Sequence, residues 1–328
     1  PLRSVPRPFH RKSPRAALED LSRLHRTQQD GCRIAERSAG AAHARLRPTR
    51  ACARCTEGSR LGDEAALAGR AGLSGEPLRV EATQRDYGHR ARIGVAVPQA
   101  NPTVEPELRA LLPEGAALYA TRLVHPASRV EERLDHYIHH IPQALAQFGT
   151  LDLAAFGYGC TGSSYRVTPA REDELTAAAA TRIPVITAAQ AIRQALQVLG
   201  VDRMALVSPY PQSLAEEGYR YWREAGMTLT DTARVDPALT DTHAIYELTS
   251  QDARRGLDAL SLDGAQCVVI SGTGMPTLRA LQDWYRDEAH HRYPPVISSN
   301  LCLTWALWNA AKLEPVLATP MDLIRRGV

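Results

Sequence analysis

A repeat with a period of about 111 residues constrains this sequence more than any other feature. The run Arg92-Ile-Gly-Val-Ala-Val-Pro98 returns as Arg203-Met-Ala-Leu-Val-Ser-Pro209, and Pro184-Val-Ile-Thr187 returns as Pro295-Val-Ile-Ser298; each pair of prolines is 111 residues apart. Between them, Leu153-Ala-Ala-Phe-Gly-Tyr-Gly-Cys160-Thr161-Gly162 matches Cys267-Val-Val-Ile-Ser-Gly272-Thr273-Gly274 at an offset of 112. Three landmarks in register mark a duplicated unit. Within each unit, short continuous apolar runs alternate with amphipathic stretches at 129–148, 171–182, 189–199, 213–225 and 246–260. Continuous apolar strands separated by helices predict a parallel sheet covered on both faces. The expected fold class is therefore α/β, with two pseudo-twofold-related parallel-sheet domains facing a central cleft. The first spans 91–201 and is completed by 298–328; the second spans 202–297. In such sheets ligands bind beyond the carboxyl ends of the strands, which selects the loops 98–103, 159–164, 209–213 and 271–277.

The formal charge of +3 hides an asymmetry: residues 1–90 hold 18 Arg or Lys against 10 Asp or Glu, and the remainder holds 21 against 26. Residues 1–90 are rich in Arg, Ala, Pro and Gly with little apolar period beyond a short candidate helix at 16–25, and they read as a poorly ordered basic arm. Only Phe9 and Tyr87 fall among its arginines and no recognised binding motif appears, so nucleic acid is not the expected partner. Cys52 and Cys55 form a single C-x-x-C, and Cys32 with His43 lacks zinc-site spacing, so no metal is expected there. No methionine precedes Met204, and the arm is also compatible with upstream sequence ahead of a start near Val80.

Only two lysines occur, Lys12 and Lys312, and neither lies in a G-x-x-x-x-G-K-[ST] loop, which excludes Walker-type nucleotide hydrolysis and disfavours Schiff-base chemistry. Six scattered cysteines make no disulfide framework, and no apolar stretch reaches the length of a membrane span. A cytoplasmic protein with no membrane partner is expected, and a homo-oligomer is compatible with the sequence.

Gly157-Tyr-Gly159-Cys-Thr-Gly162 formally satisfies the dinucleotide fingerprint, but Ser163-Ser-Tyr-Arg-Val-Thr-Pro169 delays the next helix and residue 182 is Arg rather than an acid. What remains is a strand ending in Gly-Cys-Thr-Gly-Ser. Backbone N–H groups and hydroxyls there suit a carboxylate or a developing oxyanion, and they would favour the thiolate of Cys160, a candidate nucleophile or proton carrier. Cys267 and Cys302 sit among apolar residues and read as core. His136, His139 and His140 share one predicted helix and read as a solvated face. Asp241-Thr242 reads as a helix N-cap in a loop that could reach the cleft.

Together, Val97-Pro98-Gln99-Ala100-Asn101-Pro-Thr-Val-Glu105, the Gly-Cys160-Thr161-Gly-Ser loop, Ser208-Pro-Tyr210 and Ser271-Gly-Thr-Gly-Met-Pro276 resemble the aspartate/glutamate racemase superfamily. They are most similar to its maleate isomerase and arylmalonate decarboxylase branch. The resemblance covers about residues 91–312. It implies two facing α/β domains, no metal or organic cofactor, a small dicarboxylate substrate and two cysteine positions on opposite faces of it. By the same resemblance Cys160 is the first-half cysteine that adds to the substrate double bond. Asn101, Thr161, Gly162, Ser163, Tyr210, Gly272, Thr273 and Gly274 form the substrate pocket and carboxylate cradles. The departure is Gly272, which occupies the second cysteine position.

A two-base racemase needs an acid or base on each face, so that reaction loses a partner here. Two one-cysteine schemes remain. In a maleate cis–trans isomerase, Cys160 adds to a cis-butenedioate, the new single bond rotates, and elimination releases the trans acid. In an arylmalonate decarboxylase, the malonate loses carbon dioxide and Cys160 protonates the enediolate. An aspartate/glutamate racemase, in third place, and a non-catalytic carboxylate-binding protein are further alternatives.

Overall fold

The computed structural model describes residues 85–326. The candidate helix at 16–25, the cysteines at 32, 52 and 55, and most of the expected basic arm lie outside the described residues. The last residues assigned to the arm are bonded to the body: Arg85 pairs with Asp152 at 3.2 Å, and the Arg90 N–H donates to the Gly115 carbonyl at 3.0 Å.

Two four-stranded sheets form, every pairing parallel. The first has the order β2 (Ala116–Leu123), β1 (Ala91–Pro98), β3 (Ala155–Tyr158), β4 (Val185–Thr187). The second has the order β6 (Thr228–Arg234), β5 (Arg203–Ser208), β7 (Cys267–Ile270), β8 (Val296–Ser298), which is the same topology over again. The 111-residue sequence period is therefore a period of structure. In both sheets the central pair is buried on both faces, which is why these strands read as unbroken apolar runs.

The helices in the first half are α1 (Val104–Leu111), α2 (Val130–His139), α3 (Ile141–Ala146), α4 (Thr161–Ser164), α5 (Pro169–Ala179) and α6 (Ala188–Val198). Those in the second half are α7 (Gln212–Glu224), α8 (Ser250–Asp258), α9 (Leu278–Arg286), α10 (Ser299–Ala310) and α11 (Met321–Arg325). The stretch expected as one helix over 129–148 breaks at His140, ahead of Pro142.

Two matching helices join the halves. α6 and α10 follow β4 and β8, each capped by the hydroxyl of its strand's last residue, Thr187 or Ser298. They pack on each other, and α10 also lies on α1, β3 and β4 of the first half. Residues 299–308 of α10 are buried on every side, as expected of a helix that runs through a core rather than over it. Gly157 of β3 makes room for it, since a β-carbon there would stand 2.7 Å from Leu307. A second tie runs through Tyr165, whose hydroxyl lies 2.6 Å from the Ser271 hydroxyl and accepts from the Trp222 indole at 2.9 Å.

Candidate active site

The carboxyl ends of the four central strands meet at one cleft between the sheets. Its wall takes Pro98–Asn101 from the β1 loop, Cys160 and Gly162 from the β3 loop, Tyr210 from the β5 loop, and Thr273 with Gly274 from the β7 loop. These are the loops that strand polarity selects. The remaining wall comes from Val130, Arg133, Leu134 and Tyr137 of α2, Leu214 of α7, and Thr242, His243, Ile245 and Tyr246 of the 3-10 turn at 242–247. The cleft is partly open and holds a cavity of about 50 Å³, on the scale of a few water molecules at roughly 10–15 Å³ each.

Hydrogen bonds lock the loops across the cleft. Asn101 Oδ1 accepts from the N–H of Thr103 at 2.9 Å and caps the start of α1, while its amide nitrogen donates to Thr273 Oγ1 at 3.3 Å. Thr273 Oγ1 donates onward to the Gly159 carbonyl at 2.8 Å, and Thr103 Oγ1 donates to the Gly274 carbonyl at 2.7 Å. Beneath this lattice lies the carboxylate of Glu107. It accepts from the N–H groups of Thr277 (2.5 Å) and Leu278 (2.7 Å) and from Asn300 Nδ2 (2.8 Å), and the same Asn300 amide reaches the Thr273 carbonyl at 3.2 Å.

Cys160 lies two residues beyond β3 and is the N-cap residue of α4, a single helical turn where the sequence predicted a longer delay before the next helix. Its side chain is buried. Burial pushes the thiol above its ordinary value, although the Ser163 hydroxyl and the N–H groups of Ser163 and Gly162 pull back toward the thiolate. The expectation that the glycine loop would favour the thiolate is thus corrected: the donors are present, and loss of solvent outweighs them.

Of the residues expected in the pocket, Asn101, Cys160, Gly162, Tyr210, Thr273 and Gly274 line it. Thr161, Ser163 and Gly272 stand just behind. Thr161 Oγ1 donates to Ser299 at 3.1 Å; Ser163 donates to the Cys160 carbonyl at 3.0 Å and meets the Tyr158 hydroxyl at 3.0 Å. Gly272 has φ +90°, and a β-carbon there would lie 2.6 Å from Pro209 Cγ and 3.5 Å from the Tyr210 hydroxyl. Tyr210 itself packs on Gly162, edge-on to Tyr165 with centroids 5.8 Å apart.

Arg133, Tyr137 and Tyr246 were not anticipated. Arg133 is 8% exposed, donates to the carbonyls of Ala127 (3.1 Å) and Ser128 (2.6 Å), and has no carboxylate in salt-bridge range among the described residues. It is a nearly buried cation facing the cleft. Val130, Arg133, Leu134 and Tyr137 follow an i, i+3, i+4, i+7 spacing, the one sequence signal that could have placed them on a common face. Asp241 caps the 3-10 turn, as expected, and the same turn carries Tyr246 to the cleft.

The histidines differ from expectation. His139 is exposed, but His136 and His140 are half-buried and stack at 3.7 Å, with His125 on His136 at 4.2 Å. No group of three His, Cys, Asp or Glu among the described residues is arranged to hold a metal. A larger cavity, about 530 Å³ between α9 and α11, holds none of the expected residues. Among the described residues no helix is long and apolar enough to cross a membrane.

The family model for arylmalonate decarboxylase matches residues 93–322, the whole of the duplicated body. The chain belongs to this family. A curated relative is the maleate isomerase of Pseudomonas putida, 28% identical over 240 residues that span 69% of this chain and 94% of the relative. Among solved structures, the fold is shared with a mutant Nocardia farcinica maleate cis-trans isomerase carrying a covalently bound succinylcysteine intermediate (21% identity, TM-score 0.58, 73% of this chain and 99% of that one). It is shared as well with arylmalonate decarboxylase (23% identity, TM-score 0.56, 68% and 93%). The family's fold is thus the one built here from the repeat.

Proposed function

We propose that the protein is a cofactor-independent cis–trans isomerase of a small unsaturated dicarboxylate of the maleate type, with Cys160 as covalent nucleophile. The observation that carries this reading is that Cys160 shares a small cleft with a nearly buried guanidinium, that of Arg133, which has no carboxylate within salt-bridge range among the described residues. A cation so desolvated calls for an anion. Curated relatives named maleate isomerase support the same chemistry.

The thiolate of Cys160 attacks one olefinic carbon of the cis acid, forming a C–S bond. The π pair moves onto the neighbouring carbon and its carboxylate as an enediolate. The former double bond is then single and rotates; return of the electron pair expels the thiolate and releases the trans acid. Arg133 and the Asn101 amide hold carboxylates, and the pre-set donors stabilise charge that develops only along the path. The Thr273 hydroxyl, already donating to Gly159, fixes the wall rather than the substrate.

A second reading, decarboxylation of an arylmalonate with Cys160 as proton donor, is favoured by the name of the family model and by the single cysteine at the cleft. Proton NMR of the protein with maleate, and separately with phenylmalonate, tests both: fumarate supports the isomerase, and phenylacetate without fumarate overturns it.

A further inference from the structure

The duplication pairs Cys160 with Gly272, so the second half lacks the acid that the first half supplies. The structure shows that no side chain fits there. Gly272 is in the left-handed region at φ +90°, and the space a β-carbon would need is taken by the Pro209 ring at 2.6 Å. Beyond that ring, the nearest atom is the Tyr210 phenol oxygen, 3.5 Å away.

Three of the other proton carriers of the second half are committed, and Tyr246, which also reaches the cleft, has its own arm in the test below. Thr273 donates its hydroxyl hydrogen to the Gly159 carbonyl at 2.8 Å. His243 is exposed and faces Asp241 at 3.3 Å. Ser271 is engaged with Tyr165 behind the wall. Tyr210 is buried at the cleft, and its loop is held by the bond from Arg234 Nε to its carbonyl at 3.2 Å. Its ring is seated on Gly162, one residue from the Thr that follows Cys160.

We propose that the Tyr210 hydroxyl is the second-half proton carrier, standing in for the absent acid at Gly272. The inference rests on the isomerase reading and deepens it. After the Cys160 thiolate has bonded to one olefinic carbon, the Tyr210 O–H gives its proton to the neighbouring carbon, where the π pair has moved. A succinyl adduct and a tyrosinate result. After rotation the tyrosinate removes a proton from that same carbon, the pair re-forms the double bond, and the C–S bond breaks to return the thiolate. Atoms and charge balance with no further reactant. Burial holds the phenol well above its ordinary value, so the tyrosinate is a strong base, matched to a weakly acidic carbon.

The test is turnover of maleate in D2O by wild type, Tyr210→Phe, Tyr137→Phe and Tyr246→Phe, with product read by NMR. Wild type is expected to make fumarate with deuterium at a vinylic carbon, because the phenol exchanges with solvent; this measurement needs no variant to fold. Tyr210→Phe is expected to lose that label and to lower kcat by about 10²–10⁴-fold with KM little changed. A tyrosine that only held a carboxylate would chiefly raise KM. Unlabelled fumarate from wild type, labelled fumarate at near wild-type kcat from Tyr210→Phe, or label loss in Tyr137→Phe or Tyr246→Phe instead would overturn the proposal. Wild type that makes no fumarate at all fails the isomerase reading itself.

Discussion

The Thr273 hydroxyl donates to the Gly159 carbonyl at 2.8 Å, tying the second-half loop to the residue just before Cys160. Both groups are buried, and the Asn101 amide ends on the same hydroxyl at 3.3 Å. Thr273→Val keeps the shape and removes the bond, leaving a buried carbonyl and an amide without partners. The expected cost is about 1–3 kcal/mol of stability, read as a lower urea midpoint, together with weaker substrate binding as the wall loosens. An unchanged midpoint and KM would show that the tie has no part in shaping the cleft.

Cys160 is the group on which turnover depends, so Cys160→Ser should lose activity by on the order of 10⁴-fold or more. The pH dependence of the wild type follows from burial, which raises the thiol above its ordinary value. The thiolate is the reactive form. A raised value therefore moves the rising limb of kcat/KM, and of alkylation by iodoacetamide, to higher pH than for a free thiol. Alkylation of the free enzyme with a midpoint below that of a free thiol would contradict this electrostatic picture.

How much of this was legible beforehand follows from which signals are local. The central strands, their order of appearance and the loops at their carboxyl ends were readable, because buried parallel strands write continuous apolar runs. The edge strands β2 and β6 were not: their residues are half-exposed, and where β6 reads Thr228-Leu-Thr-Asp-Thr-Ala-Arg234 with no apolar run, β2 carries only the alanine-rich Ala116-Ala-Leu-Tyr-Ala120. Cys160 stood out through its glycine loop and Asn101 and Tyr210 through the family resemblance, whereas Arg133 and Tyr246 reach the cleft on a helix face and a 3-10 turn whose placement is tertiary. The sign of the Cys160 shift is not written in the sequence, because a glycine loop announces its donors and does not announce how deeply it is buried.

Glu107 offers a stability test independent of catalysis. Each of its carboxylate oxygens faces only donors: Thr277 N and Leu278 N at one, Asn300 Nδ2 and Thr277 Oγ1 at the other. The protonated carboxyl turns one hydrogen toward these donors, whereas the NH2 of Glu107→Gln turns two, at an expected loss of about 1–3 kcal/mol. Burial raises the Glu107 carboxyl above the ordinary carboxylate range, despite those donors. The unfolded chain then releases its proton at lower pH than the native state does. The contribution of this group to stability is accordingly full below the unfolded value and falls as pH climbs through the raised one. Urea midpoints measured across acidic pH should show the gap between wild type and Glu107→Gln narrowing in that direction; a widening gap would reverse the assignment.

The last prediction concerns the obvious repair. Restoring the duplication by Gly272→Cys looks, from sequence, like completing a two-cysteine site. The backbone at 272 has φ +90°, a region L side chains rarely adopt, and the β-carbon would be driven to 2.6 Å from the Pro209 ring. Pro209 cannot swing aside as a flexible side chain would, because its ring is closed on the backbone that also carries Tyr210. The variant is therefore expected to lose about 1–3 kcal/mol of stability and to displace Tyr210, so that turnover falls rather than rises. Gly272→Ala separates the causes: it carries the same backbone and steric penalty without a thiol. Comparable losses in both variants, by thermal melt and by rate, would place the fault in the backbone. A Gly272→Cys protein as stable as wild type and faster would mean that the loop can open a second cysteine position.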